Sequence, residues 1–210
     1  MIEKWYKFFM GVEYEAPHLF LDEHEFYGVD WYNDLDDGRR VNNWNTACFM
    51  RSSGQEWDGP APDIAENSCH LPIFSARFRE ALDRAGVARG EVQYLPIRVF
   101  LSTGEEVKGY AIANILARVA ALDFERSKTY NSEGDLVFLA KETEIDARTR
   151  KPSASGLVKA VLRKKPLVGH DIVRLDEHSA WILVSERFAK VYRDLRCNAG
   201  TKLVPLEVVD

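Results

Sequence analysis

Ile73-Phe-Ser-Ala-Arg-Phe78 decides the fold, because the chain writes its pattern twice: Leu183-Val-Ser-Glu-Arg-Phe188 follows 110 positions later. In both copies two apolar residues suited to a strand run into a serine. Arginine and phenylalanine stand two and three places on. A serine where a strand ends and a helix begins can accept from a backbone N–H of the first turn, so Ser75 and Ser185 read as N-caps. Helical spacing follows each cap. Phe78, Ala81, Leu82 and Ala85 fall at i, i+3, i+4 and i+7, and Phe188, Val191, Tyr192 and Leu195 repeat those offsets. Each helix then meets a strand carrying a proline, Tyr94–Val99 or Leu203–Val208. Proline cannot donate to a ladder, so Pro96 and Pro205 belong at a sheet edge, a bulge or a strand start. Burying Phe78 or Phe188 against a sheet is worth about 1.5–3 kcal/mol.

The pattern predicts an α+β fold: a mixed, mainly antiparallel sheet with two strand-helix-strand units, at about 71–99 and 181–208, packed on it. One domain over 1–210 is expected, with an acidic aromatic part at 1–60. Working outward, residues 4–14 read as an N-terminal strand with Leu19–Leu21 as candidate partner. Asp36-Asp-Gly38 is a turn signal and predicts a hairpin joining 26–32 to 40–41. Residues 51–70 read as a long surface excursion. Gly109–Asp123 fits either an alanine-favoured helix or a long buried strand. Short strands are expected at 136–139, 157–162, 171–175 and 181–184, and a loop at 146–156.

With 210 residues, 46% of them apolar and 29% charged, the chain is long enough to bury a core. No apolar run is long enough to cross a bilayer. Met1–Met10 lacks the apolar core and cleavage site of a signal peptide, and three scattered cysteines make no disulfide framework. Both point to the cytoplasm. The net charge of −5 is unevenly spread: residues 1–70 hold 14 acids and 5 bases, residues 71–210 hold 19 and 23. Between Glu13 and Asp37 lie nine acids and no lysine or arginine. Phe20, Phe26, Tyr27, Trp31, Tyr32 and Trp44 are interspersed with or flank these acids. Tyrosine and tryptophan among acids suit a protein interface with a basic partner. A core with a solvated acidic face is the competing reading. Arg148–Lys165 holds seven bases and no acid, but no aromatic residue to stack a base, so nucleic acid is not expected there.

Catalytic and metal motifs are missing: no H-E-x-x-H, C-x-x-C, P-loop, G-x-G-x-x-G or G-x-S-x-G occurs. His18 and His24 stand near Asp22, Glu23 and Glu25, without the helical spacing of a metal pair. Adjacent Cys69 and His70 would point to opposite faces of an extended segment. No metal or cofactor is expected. An enzyme working through histidines or carboxylates of the N-terminal half remains the alternative.

Pro62-Asp-Ile64, Leu71-Pro-Ile-Phe-Ser-Ala-Arg-Phe78, Val92–Ile97, Tyr110–Asp123, Ser127, His170-Asp-Ile-Val-Arg-Leu175 and Ile182–Phe188 together resemble the bacterial immunity proteins typified by a myxobacterial member, formerly a domain of unknown function. The likeness covers roughly 60–208. Val173 stands where that pattern leads us to expect phenylalanine. The resemblance implies a cytoplasmic protein that binds and occludes a cognate secreted toxin of interbacterial competition. It carries over no catalytic residue, and it makes the repeated segments scaffold. The candidate toxin-facing residues are then Asp22, Glu23, Glu25, Asp30, Trp31, Tyr32, Asp34, Asp36 and Asp37, meeting a basic toxin surface. No membrane partner is expected, and self-association stays open.

Overall fold

A computed structural model describes residues 4–10, 19–30, 34–35, 37–53, 59–130, 133–139, 144–145, 152–153, 157–197 and 200–210. Both caps form. Ser75 and Ser185 hold extended backbone, and their hydroxyls accept from the N–H groups of Phe78 (3.1 Å) and Phe188 (3.3 Å). The helices they open are α1 (Ala76–Arg84) and α2 (Glu186–Asp194).

The expected single sheet is replaced by several, since each helix is served by its own. The first, of six strands, has the order β11 (Arg118–Val119), β18 (Ile172–Leu175), β19 (His178–Ser185), β1 (Trp5–Met10), β20 (Thr201–Val209), β17 (Val161–Arg163). The second, of five strands, runs β2 (Phe20–Leu21), β5 (Ile64–Asn67), β6 (Ile73–Phe74), β10 (Ala111–Ile115), β7 (Val92–Pro96). A four-stranded sheet joins β3 (Glu23–Glu25), β4 (Phe49–Arg51), β8 (Arg98–Phe100) and β9 (Glu106–Val107) in that order. A three-stranded one runs β13 (Leu136–Phe138), β12 (Lys128–Tyr130), β16 (Leu157–Lys159). β14 (Glu144–Ile145), just before the loop expected at 146–156, pairs with β15 (Pro152–Ser153) inside it; most of that loop lies outside the described residues.

The two large sheets repeat one arrangement. β6 and β7 flank β10, antiparallel to both; β19 and β20 flank β1 in the same way. Ala111 faces Phe74 and Pro96, while Tyr6 faces Val184 and Pro205. The N-terminal strand thus sits inside the C-terminal sheet rather than beside Leu19–Leu21, whose β2 pairs with β5. Pro96 lies on an edge strand. Pro205 lies where β20 has only β1 beside it, because β17 pairs from Glu207 onward.

A buried carboxylate completes each copy. Asp63 accepts from the Ser75 hydroxyl (2.6 Å) and from the Arg77 guanidinium, with Nε at 3.0 Å. Asp171 accepts from the Ser185 hydroxyl (2.8 Å), Arg187 (3.0 Å) and the Ala88 N–H (3.1 Å). Burial pushes the Asp63 carboxyl up, but Arg77 and Ser75 outweigh it and hold it below the usual range. Arg187 also donates to the carbonyls of Ala85 and Gly86 at the end of α1, so the second unit's arginine ties down the first unit's helix. Phe78 and Phe188 meet edge to face at 5.6 Å, in a core that draws Phe8, Phe74, Ile115, Ile172 and Val184 from both sheets.

Two more expectations change, and one left open between helix and strand is resolved as strand. Residues 64–67 are not surface but β5, buried throughout; their acid and amide masked it. Asn67 is buried because its side chain folds the next turn, accepting from Leu71 N–H (3.0 Å) and donating to Leu71 O (2.6 Å). Gly109–Asp123 is not a helix: it yields β10 and β11. No hairpin joins 26–30 to 40–41 among the described residues. Instead Gly38 (φ +67°) presses on β10, where a Cβ would lie 2.3 Å from the Ile115 carbonyl oxygen. Among the described residues no helix is long and apolar enough to cross a membrane.

Candidate binding surface

The acidic segment is displayed by the four-stranded sheet. Its inner face is apolar: Met50 and Val99 are fully buried beside Leu19, Leu21 and Ile73. Alternation then sends Phe49, Arg51, Arg98 and Phe100 to the other face, with Glu23, Glu25 and Glu106 paired to them across the ladder. Phe49 and Phe100 pack edge to face at 5.9 Å. The Arg51 guanidinium lies 5.6 Å from both rings, and that of Arg98 lies 4.8 Å from Phe100. Arg98 donates to Glu106 (3.0 Å), and Arg51 approaches Glu23 (3.9 Å). Such exposed pairs contribute at most about 1 kcal/mol each. They do offset a field that looks unbroken in sequence.

The candidate acids fall in distinct settings. Glu23 and Glu25 are exposed on that outer face. Asp22 turns to Ser53, accepting from its N–H (2.7 Å) and its hydroxyl. Desolvation pushes its carboxyl up, and the hydrogen bonds from Ser53 more than reverse this, leaving it below the usual range. Asp30 and Asp34 close one turn, with Asp34 N–H donating to Asp30 O at 2.7 Å. Asp37 is tied inward: Arg118 reaches its carboxylate (3.7 Å) and carbonyl (2.8 Å) and continues to Asp176 (2.8 Å). Trp31, Tyr32 and Asp36, like His18, lie outside the described residues. Of the aromatics, Phe26 and Trp44 pack against the core, while Phe20 and Tyr27 stay exposed at 36% and 39%.

Sequence reading missed Phe49, Arg51, Arg98 and Phe100. The period-2 alternation around Met50 and Val99 was the available signal. Arg51 falls in the excursion expected at 51–70 and Arg98 in the strand expected at 94–99, and nothing local indicates that the two share a sheet.

The chemistry here is that of contact. His24 stacks on Phe26 (5.0 Å), and its Nδ1 lies 3.5 Å from the Cys69 sulfur. Burial raises the Cys69 thiol, the wrong direction for a nucleophile. His70 is exposed at φ +53°, turned from buried Cys69. Among the described residues no three His, Cys, Asp or Glu side chains are grouped to hold a metal ion.

The model of an Immunity protein family (Imm11) matches residues 13–206, both scaffold copies and the acidic segment included. No curated protein matches the chain.

Proposed function

This chain belongs to the immunity protein family (Imm11), and from that premise we propose that it binds a cognate secreted toxin in the cytoplasm and neutralises it by occlusion. The family match over nearly the whole chain carries this reading, and it favours a binding role over catalysis. The toxin-facing surface in this proposal is the outer face of the four-stranded sheet with the adjoining acidic turns. Glu23, Glu25 and Asp30 are exposed there, and Asp34 lies beside them in sequence. Trp31, Tyr32 and Asp36 complete the segment. Phe49 and Phe100 add apolar area between charges, as an interface core requires. Asp22 and Asp37 shape the surface through Ser53 and Arg118. A toxin with a basic surface fits this charge.

Co-expression tests it. Cells that make the toxin domain encoded beside this gene should survive only when this protein is made. Killing despite abundant folded protein sinks the reading for that pair. Reversing Glu23, Glu25 and Asp30 to lysine should weaken binding about tenfold or more and flatten its salt dependence. Unchanged affinity moves the interface elsewhere.

A further inference from the structure

The six-stranded sheet has a second, oppositely charged feature. Where β17 stops pairing with β20, the chain peels away through Ala160 into β16. A cleft of about 480 Å³ opens between β16 and the sheet. Its lining includes Lys7 and Phe9 of β1, Trp181 of β19, Lys202 and Val204 of β20, and Lys159 of β16. The Lys7 ammonium lies 3.6 Å from the Trp181 ring centre and 5.1 Å from that of Phe9. The Lys202 ammonium lies 5.1 Å from the same Phe9 ring.

Two lysines therefore share one aromatic ring. Neither forms an ion pair among the described residues, whereas Lys159 has Glu207 at 3.0 Å. Burial and the charge of Lys202 both push the Lys7 ammonium below its ordinary value. An approaching carboxylate would relieve that repulsion.

We propose that this cleft receives an acidic segment of a partner protein, a carboxylate seated between Lys7 and Lys202 with a neighbouring apolar side chain on Phe9 and Trp181. Within the immunity reading that partner is the toxin. Three features favour a protein segment. The lining alternates cations with apolar groups. The surface continues past Lys159 to Lys128, its ladder partner, and then to Tyr130, Leu136 and Phe138, exposed at 60%, 48% and 44%. That apolar extent exceeds what a small anion needs. Pro205 removes a donor from the open part of β20, so recognition falls to side chains rather than to an added strand. Nucleic acid is disfavoured by Glu207 in the lining and a net charge of −5.

The test uses a capped five-residue peptide alternating glutamate and leucine, followed through the Trp181 indole N–H by NMR. Saturable binding of roughly millimolar strength is expected. A lysine–leucine peptide should not bind, Lys7→Gln/Lys202→Gln should weaken binding about tenfold, and Lys7→Arg/Lys202→Arg should retain it. Circular dichroism checks that the variants fold. No saturation, or equal binding by the glutamine variant, overturns the proposal. So does sodium acetate alone matching the peptide, or a single-stranded 12-mer oligonucleotide binding more tightly. A protein that binds the peptide yet fails to protect in co-expression overturns the immunity reading and leaves the cleft standing.

Discussion

Replacing Asp171 with alanine should cost far more stability than the same change at Asp63, although both play the same part in the repeat. Asp171 accepts from the Ser185 hydroxyl, the Arg187 guanidinium and the Ala88 N–H. Ser185 is fully buried and Ala88 only 6% exposed, so water cannot replace the lost acceptor at either. Two stranded donors at about 1–3 kcal/mol each give about 2–6 kcal/mol; Arg187, whose side chain is 56% exposed, rehydrates and adds little. Asp63 instead serves Ser75, which is half-buried, Arg77, whose side chain is 64% exposed and rehydrates freely, and the Cys197 thiol at 3.8 Å, buried but a weak donor. No backbone N–H is stranded at that position among the contacts of Asp63. Asp63→Ala should therefore cost about 1–3 kcal/mol. Urea unfolding followed at 222 nm measures both from the midpoint, given an unchanged slope. Ser185→Ala combined with Asp171→Ala should be less than additive, because they remove one shared bond. Equal losses at the two aspartates would refute the reasoning, since burial of the orphaned donors would then not set the cost.

Glu66 gives a pH signature. Burial pushes its carboxyl up to about 7, so the folded state favours the proton. Its stability is whole below the unfolded value near 4.5 and is lost as pH rises through about 7. Glu66→Gln should match the parent at pH 4.5 and exceed it by about 1–3 kcal/mol at pH 8, read as a Tm difference that grows with pH. At the end of α2, Arg196 holds φ +57° where Gly86 ends α1 at +63°. Arg196→Gly should raise stability by about 0.5–1 kcal/mol in chemical denaturation, by removing left-handed strain.

The sequence disclosed local syntax better than it disclosed partners. Ser75, Ser185 and the phenylalanines behind them were legible because capping and helical spacing act within a few residues. Asp63 and Asp171 were not, although Asp-Ile precedes each serine, at slightly different distances. Their role exists only once a strand has folded back beside the cap. Ala111–Ile115 stayed ambiguous because β10 is buried throughout and shows no alternation. The candidate surface was half legible. Its candidate acids cluster within 22–37, but Glu106 and the arginines Arg51, Arg98 and Arg118, which answer Glu23, Glu106 and Asp37, arrive from other strands.

The position of β1 shapes how the molecule is made. Trp5–Met10 leaves the ribosome well before its two neighbours, β19 and β20, which come from 178–209. At about 5–20 residues per second, this aromatic strand waits roughly 10–40 s for both flanks. Lys7, in the middle of the strand, is a charge in an otherwise aggregation-prone stretch and acts as its gatekeeper during that interval. Birth order and assembly order thus run in opposite directions: β1 is made before both of its flanks and is enclosed only after them.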